Sequence, residues 1–265
     1  MDTKTYALIT GGTSGIGYEL AKIFATNGHN LILVSRDEAD LTITRNELLE
    51  LGVDVQIISK DLFDKQAPFE LYDEICAKGY EVDILVNNAG QGQYGEFADT
   101  NIYRELSIIQ LNISSLVVLT KLFLQDMIKR GEGKIMNLSA ISSKAPGPLN
   151  SVYHATKAFV QSFTQAIAAE VKEGITVTAL LPGATDTDFF NKADMQQSKV
   201  AKDSGNLEDA KKVAQDGYDA LMKGEQMKVS GGIKNKVKVA LSNVLSDKSA
   251  AKKAHKEHAP AEEKK

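Results

Sequence analysis

Short apolar runs alternate with longer amphipathic stretches along most of the chain. The runs are TYALIT (5–10), NLILVS (30–35), DVQIIS (54–59), DILVNNAG (83–90), GKIMNLS (133–139) and GITVTALLPG (174–183). Their apolar positions are nearly continuous and rich in Val, Ile and Leu, which predicts strands buried on both faces. Between them apolar residues recur at helical spacing, predicting helices near 15–27, 37–51, 65–78, 101–130 and 152–173. Strand–helix alternation predicts a parallel sheet with right-handed crossovers. The expected fold is therefore α/β and doubly wound, with ligands held at the carboxyl ends of the strands.

Two helical stretches carry more apolar surface than one sheet face needs. LNISSLVVLTKLFLQDMI, within 101–130, is apolar almost all round, and Phe159, Phe163, Ile167 and Val171 form a stripe on the next helix. Packing onto the sheet explains most of this; an outward remainder is expected to join copies of the chain as a homodimer or homotetramer. After Pro182 the pattern turns polar and poorly periodic, so residues 188–205 are expected to be a mobile substrate loop. LEDAKKVAQDGYDALMKG (207–224) predicts a helix with Asn206 as N-cap and Gly224 as stop. EQMKVSGG is expected to add a last strand, and IKNKVKVALSNVLS a small C-terminal helical extension. Residues 1–246 thus form a single domain, followed by a charged tail, 247–265, without a core-forming pattern.

Composition narrows the function classes. A net charge of -4 argues against a nucleic-acid partner, which calls for a basic face. No run approaches the ~20 apolar residues of a membrane span, and the N-terminus lacks a basic segment followed by an apolar core. The single cysteine, Cys76, excludes an intrachain disulfide framework and suits a reducing compartment. The chain is expected to be cytoplasmic. His29, His154, His255 and His258 show no ligand spacing with Cys76, so no metal site is expected; His255 and His258 are expected to be solvated in the tail.

Chemistry concentrates in four motifs. ITGGTSGIG follows the first strand and opens the first helix, where glycines permit close approach of a pyrophosphate to free N–H groups. No Lys-Ser/Thr pair follows these glycines, which disfavours a kinase-type phosphate loop. NNAG (87–90), YHATK (153–157) and PGATDT (182–187) follow in order. Tyr153 and Lys157, four apart on a helix, lie on one face.

With these motifs at these separations, the chain resembles the short-chain dehydrogenase/reductase family from about Tyr6 to Thr187. The resemblance implies a Rossmann fold and an NAD(P)-dependent enzyme interconverting a small-molecule carbonyl compound and an alcohol. It implies that Gly11, Thr13, Ser14, Gly15, Ile16 and Gly17 contact the cofactor phosphates and ribose. Asp61, with Leu62 beside it, would take the adenine amino group, and Asn88, Ala89 and Gly90 would line a ribose. Pro182 and Gly183 would pass the nicotinamide, with Thr187 on its carboxamide. Tyr153 would be the acid/base, Lys157 would tune it and hold the ribose, and Asn112 would bend the long helix and support a proton relay.

NAD-selective relatives carry an acidic residue at the end of the second strand to bind a ribose hydroxyl. Here Ser35 and Arg36 stand there, and a guanidinium suits a 2′-phosphate, so NADP is expected over NAD. Asp37 is a competing partner for Arg36. A phenol of pKa about 10 requires roughly 4 kcal/mol of phenolate stabilisation to reach neutrality, which a cation ~4 Å away at a dielectric of ~20 supplies. Lys157, together with a positively charged oxidised nicotinamide ring, is expected to do this. The catalytic serine of the family stands thirteen residues before the tyrosine, and that position here is Ala140. Ser139 is the first candidate to replace it and Ser142 the second. Loss of such a donor costs on the order of 100- to 1000-fold in rate, so a dinucleotide-binding sensor or scaffold with little turnover is the rival expectation. Tyr94, Phe97, Phe189 and Phe190 are expected to give the substrate pocket an apolar component.

Overall fold

The computed structural model of the chain describes residues 4–202 and 207–232 and, beyond these, 235, 239, 254, 255 and 258–261. The strands are β1 (Thr5–Thr10), β2 (Asn30–Ser35), β3 (Val55–Ser59), β4 (Glu81–Asn87), β5 (Gly133–Leu138), β6 (Ile175–Leu181) and β7 (Met227–Val229). They form one parallel sheet in the order β3-β2-β1-β4-β5-β6-β7. Chain direction across the sheet reverses between β1 and β4, which opens a crevice at their carboxyl ends.

Helices cover both faces, and this is why the strands read as continuous apolar runs. On one side α1 (Gly15–Thr26) and α2 (Glu38–Leu49) join a later helix, Ala210–Met222, around Leu20, Phe24, Leu41, Leu180, Val213 and Leu221. On the other, α3 (Ala67–Ala77) and α5 (Leu116–Arg130) pack Leu71, Ile75, Leu119, Phe123 and Met127 against Leu8, Ile32, Leu85 and Ile135. This is the expected doubly wound, Rossmann-like single domain.

α4 (Ile102–Ile109) runs into α5 through a π-helical turn, Gln110–Ser115. The three pieces make one helix, Ile102–Arg130, of 29 residues, long and apolar enough by length and composition to cross a membrane; 44% of its apolar window is buried in this fold. The expectation that no segment reaches that length is corrected. The π-turn fuses two helices, and Asn112 and Ser115 spend their polar groups on Gln91, Thr156 and the Leu62 carbonyl. Ile102, Tyr103, Leu106 and Ile128 of this helix stay exposed, as does Phe159 of α6 (Ser151–Glu170).

Three further expectations change. Residues 188–205 contain two short helices, α7 (Phe189–Lys192) and α8 (Lys199–Lys202), with Ala193, Met195 and Ser198 buried between them. α9 (Ala210–Met222) is capped by Asp209, whose carboxylate accepts from the Lys211 N–H at 2.9 Å; Asn206 lies outside the described residues. Most of the expected C-terminal helix and charged tail also lies outside them. His258, however, is buried and hydrogen-bonded rather than solvated.

Candidate active site

A cleft of about 870 Å³ runs along the carboxyl ends of β1, β2, β4, β5 and β6. Its first wall is the loop between β1 and α1. Gly11 and Gly15 take φ of +66° and +54°, and a Cβ at Gly17 would collide with the Gly11 carbonyl oxygen. Ser14 precedes α1 in extended conformation and makes no cap bond to the helix, so the first N–H groups of α1 point into the cleft. Asn88 fixes this loop from the end of β4. Its Nδ2 donates to the carbonyl oxygens of Thr10 and Gly11 at 2.9 and 3.0 Å, while Thr10 Oγ1 accepts from the Asn88 and Ala89 N–H groups at 3.1 Å. Asn88 therefore braces the glycine turn, and Ala89 and Gly90 line the crevice beside it. From the far side a Cβ on Gly15 would stand 2.9 Å from the Thr187 methyl, so the glycine turn and the Pro182–Thr187 segment approach each other across the cleft.

The end of β2 resolves the competition for Arg36. Asp37 is the N-cap of α2, its Oδ1 accepting from the N–H groups of Ala39 and Asp40 at 2.9 and 3.0 Å. Among the described residues Arg36 enters no ion pair. Its guanidinium lies over the Phe63 ring, 5.1 Å from the centroid, and Arg104 lies 5.4 Å from the same ring. Asp61 holds the turn before Phe63 by accepting its N–H at 3.1 Å, and Leu62 lines the cleft. Phe63 and Arg104 were not picked out by sequence reasoning. Phe63 directly follows the Asp61–Leu62 pair, but nothing local marks Arg104 as its second neighbour.

At the other end, α6 brings Tyr153 and Lys157 into the cleft. Lys157 Nζ lies 5.7 Å from the Tyr153 ring centroid and donates to the Leu138 carbonyl at 2.8 Å. Gly90 sits opposite: a Cβ there would be 3.3 Å from both Lys157 Nζ and Asn112 Oδ1. Asn112 itself is buried in the π-turn. Its Nδ2 donates to the Gln91 carbonyl and to Thr156 Oγ1 at 2.8 and 3.0 Å, and its Oδ1 accepts the Gln91 N–H at 3.0 Å. The expected helix distortion is present, and the asparagine amide positions the strand-end loop and α6 around the lysine.

Burial dominates the ionisation of both groups. Burial pushes the Tyr153 phenol well above its ordinary range, and a contact with Ser142 offsets that only in part. Burial also lowers Lys157, to about 8. Desolvation penalises both charged forms, and the ammonium stands near the ring with its hydrogen bond on the Leu138 carbonyl.

The two serines have different surroundings. Ser139 is buried, and its hydroxyl donates to the Lys157 carbonyl at 2.7 Å while its N–H pairs with Leu180, so it braces α6 against β5. Ser142 sits in the 3₁₀ turn Ile141–Lys144, its Oγ buried and facing the Tyr153 hydroxyl without a closed hydrogen bond. The turn brings Ser142 to the reactive end of the cleft because it shortens the path from the end of β5. Phe189 stacks on Tyr153 at 5.0 Å between ring centroids, and Phe190 and Met195 continue this apolar wall. Tyr94 and Phe97 do not line the cleft.

A short chain dehydrogenase family profile matches residues 5–198. An uncharacterised oxidoreductase of Staphylococcus epidermidis is 31% identical over 206 residues, covering 77% of this chain and 87% of that protein. The very-long-chain 3-oxoacyl-CoA reductase of Rattus norvegicus is 36% identical over 188 residues, covering 67% of this chain and 58% of its own length. A short-chain dehydrogenase from Sphingobium yanoikuyae, solved in complex with NADPH, superposes with a TM-score of 0.81 at 29% identity, covering 91% of this chain and 92% of that one. The glycine turn, Tyr153, Lys157 and strands β1 to β6 all fall within the matched residues, and the chain belongs to the short-chain dehydrogenase/reductase family of NAD(P)-dependent oxidoreductases.

Proposed function

We propose that the protein is an NADP-dependent oxidoreductase that interconverts a carbonyl compound and an alcohol, with Tyr153 as its acid/base. The observation that carries this reading is the placement of Tyr153, Ser142 and the buried Lys157 together on the lining of one cleft. Bound nicotinamide supplies or accepts the hydride at the substrate carbon. Ser142 Oγ holds the substrate oxygen, and Tyr153 gives it the proton during reduction or takes it during oxidation. Lys157, hydrogen-bonded to Leu138 and set by Asn112 through the Gly90–Gln91 turn, holds the ribose hydroxyls. Pro182, Gly183 and Thr187 hold the carboxamide edge. Phe189 and its neighbours exclude water from the reacting atoms.

NADP preference is supported by Arg36. Its guanidinium is free of ion pairs among the described residues and laid over Phe63, and Asp37 is committed to capping α2. Gly11, Thr13, Ser14, Gly15, Ile16 and Gly17 cradle the pyrophosphate, with Asp61 and Leu62 at the adenine. The exposed apolar residues of the long helix and of α6 support association of copies through that face, and the single Cys76, exposed and unpaired, fits a cytoplasmic protein.

The test is NADPH oxidation with a panel of aldehydes and ketones, followed by identification of the alcohol. Turnover with at least one member is expected; micromolar NADPH binding with none would favour a sensor or scaffold. Ala140 is the feature that favours the rival, and Ala140→Ser discriminates between them. If Ser142 already serves as donor, the added hydroxyl raises the rate little. A gain approaching 100-fold would mean that the donor is missing.

A further inference from the structure

The Tyr153 end of the cleft shares its lining with residues far away in the sequence. Ala254 and His258, from a segment whose composition is that of a solvated tail, are buried and line the same cleft as Tyr153 and Ser142. The segment is fastened at several independent points. Tyr94 Oη donates to the His258 carbonyl at 2.6 Å, and the His258 ring donates from Nδ1 to the Pro148 carbonyl at 3.0 Å. Lys199 N–H donates to the Ala259 carbonyl at 3.0 Å and Ala261 N–H to the Gln197 carbonyl at 2.8 Å, flanking an antiparallel bridge between Ser198 and Pro260. The His258 ring meets His154, the neighbour of Tyr153, edge-on at 5.1 Å.

Each fastening point belongs to an element that shapes the substrate chamber. Gln197, Ser198 and Lys199 lie between Met195 and Val200, both of which line it. Tyr94 also donates its N–H to the Ala193 carbonyl at 2.9 Å, so one residue ties the substrate loop and the C-terminal segment together. Pro148 sits two residues before Asn150, which lines the chamber at the start of α6.

Resting on the carbonyl–alcohol reading above, we infer that Ala254 and residues 258–261 of the chain form the outer wall of the substrate chamber and limit the bulk of the carbonyl compound admitted. The wall selects compact substrates with an apolar body, which fit between His258 and Ala254 on one side and Phe189, Phe190 and Met195 on the other. Its backbone bonds to 197–199 hold the substrate loop in register, so the same contacts that set chamber size also order the loop.

The experiment compares the full chain with a variant lacking residues 247–265 and with a Tyr94→Phe, His258→Ala double variant, which keeps the chain length if the deletion does not fold. Two readouts are taken: amide hydrogen exchange over residues 195–202, and kcat/KM for carbonyls graded from small aldehydes to two-ring ketones. Exchange at 197–200 is expected to quicken at least tenfold, and the ratio of bulky to small kcat/KM to rise at least tenfold, with NADPH affinity within threefold of the full chain. Unchanged exchange, or quickened exchange with an unchanged size ratio, overturns the wall. An inactive full chain would instead sink the oxidoreductase reading, while the exchange comparison would still decide whether the segment is seated.

Discussion

The Lys157 ammonium donates to the carbonyl oxygen of Leu138 at 2.8 Å, and Ser139, the next residue, returns a hydrogen bond to the Lys157 carbonyl at 2.7 Å. The end of β5 and the second turn of α6 are thus locked together around a buried cation. With a pKa lowered to about 8 by burial, that cation is charged at neutral pH with only a small margin.

A pH dependence of cofactor affinity follows. The ammonium is the form that donates to ribose hydroxyls, and its free-protein pKa is depressed, so above about pH 8 the amine must take up a proton before it binds. NADPH affinity is expected to fall as pH rises through 8, by up to about tenfold per unit, with one proton taken up. Calorimetric titrations in buffers of different ionisation enthalpy measure both quantities. An affinity flat between pH 7 and 9.5 would detach Lys157 from binding.

The two serines separate by the kind of damage that their loss causes. Ser142→Ala removes the hydroxyl facing Tyr153, so kcat is expected to drop on the order of 100-fold with thermal stability unchanged. Ser139→Ala removes a buried brace instead. It should cost roughly 1 kcal/mol of stability while kcat stays within a few-fold. Thermal melts alongside steady-state kinetics distinguish the two patterns, and the reverse assignment would restore Ser139 to the chemistry.

Arg36→Ala tests cofactor choice. A charge-assisted pairing with the 2′-phosphate is worth about 1.5–3 kcal/mol, so NADPH affinity should weaken by roughly 10- to 100-fold. NADH lacks that phosphate, and its affinity should move by no more than about threefold. Equal losses for both would make Arg36 a platform for adenine alone.

How much of this was legible in the sequence depends on which interactions carry each feature. Strands β1 to β6 were visible because a parallel sheet buried on both faces leaves apolar runs, whereas β7, a half-buried MKV, has no such run. The glycine turn was visible because backbone crowding at Gly17 and positive φ at Gly11 and Gly15 demand glycine. The substrate loop hid α7 and α8, since four-residue helices carry no period to detect. The seating of His258 was hidden because Ala259, Ala261, Gln197 and Lys199 bond through their main chains, which leave no pattern in side chains. Spacing leaves Ser139 and Ser142 as alternatives, because the 3₁₀ turn that follows β5 has no residue pattern to mark it. Spacing on a helix places Lys157 near Tyr153, but it does not reveal how strongly burial acts on both groups.

The phenol–serine pair is most directly tested by single-turnover oxidation of bound NADPH with a saturating carbonyl substrate, comparing the unaltered protein with Tyr153→Phe. The substitution removes one hydroxyl, so NADPH affinity should stay within a few-fold while the single-turnover rate falls by about 100- to 10,000-fold. A Tyr153→Phe protein that oxidises NADPH as fast as the parent would contradict the assignment of Tyr153 as the group that moves the proton.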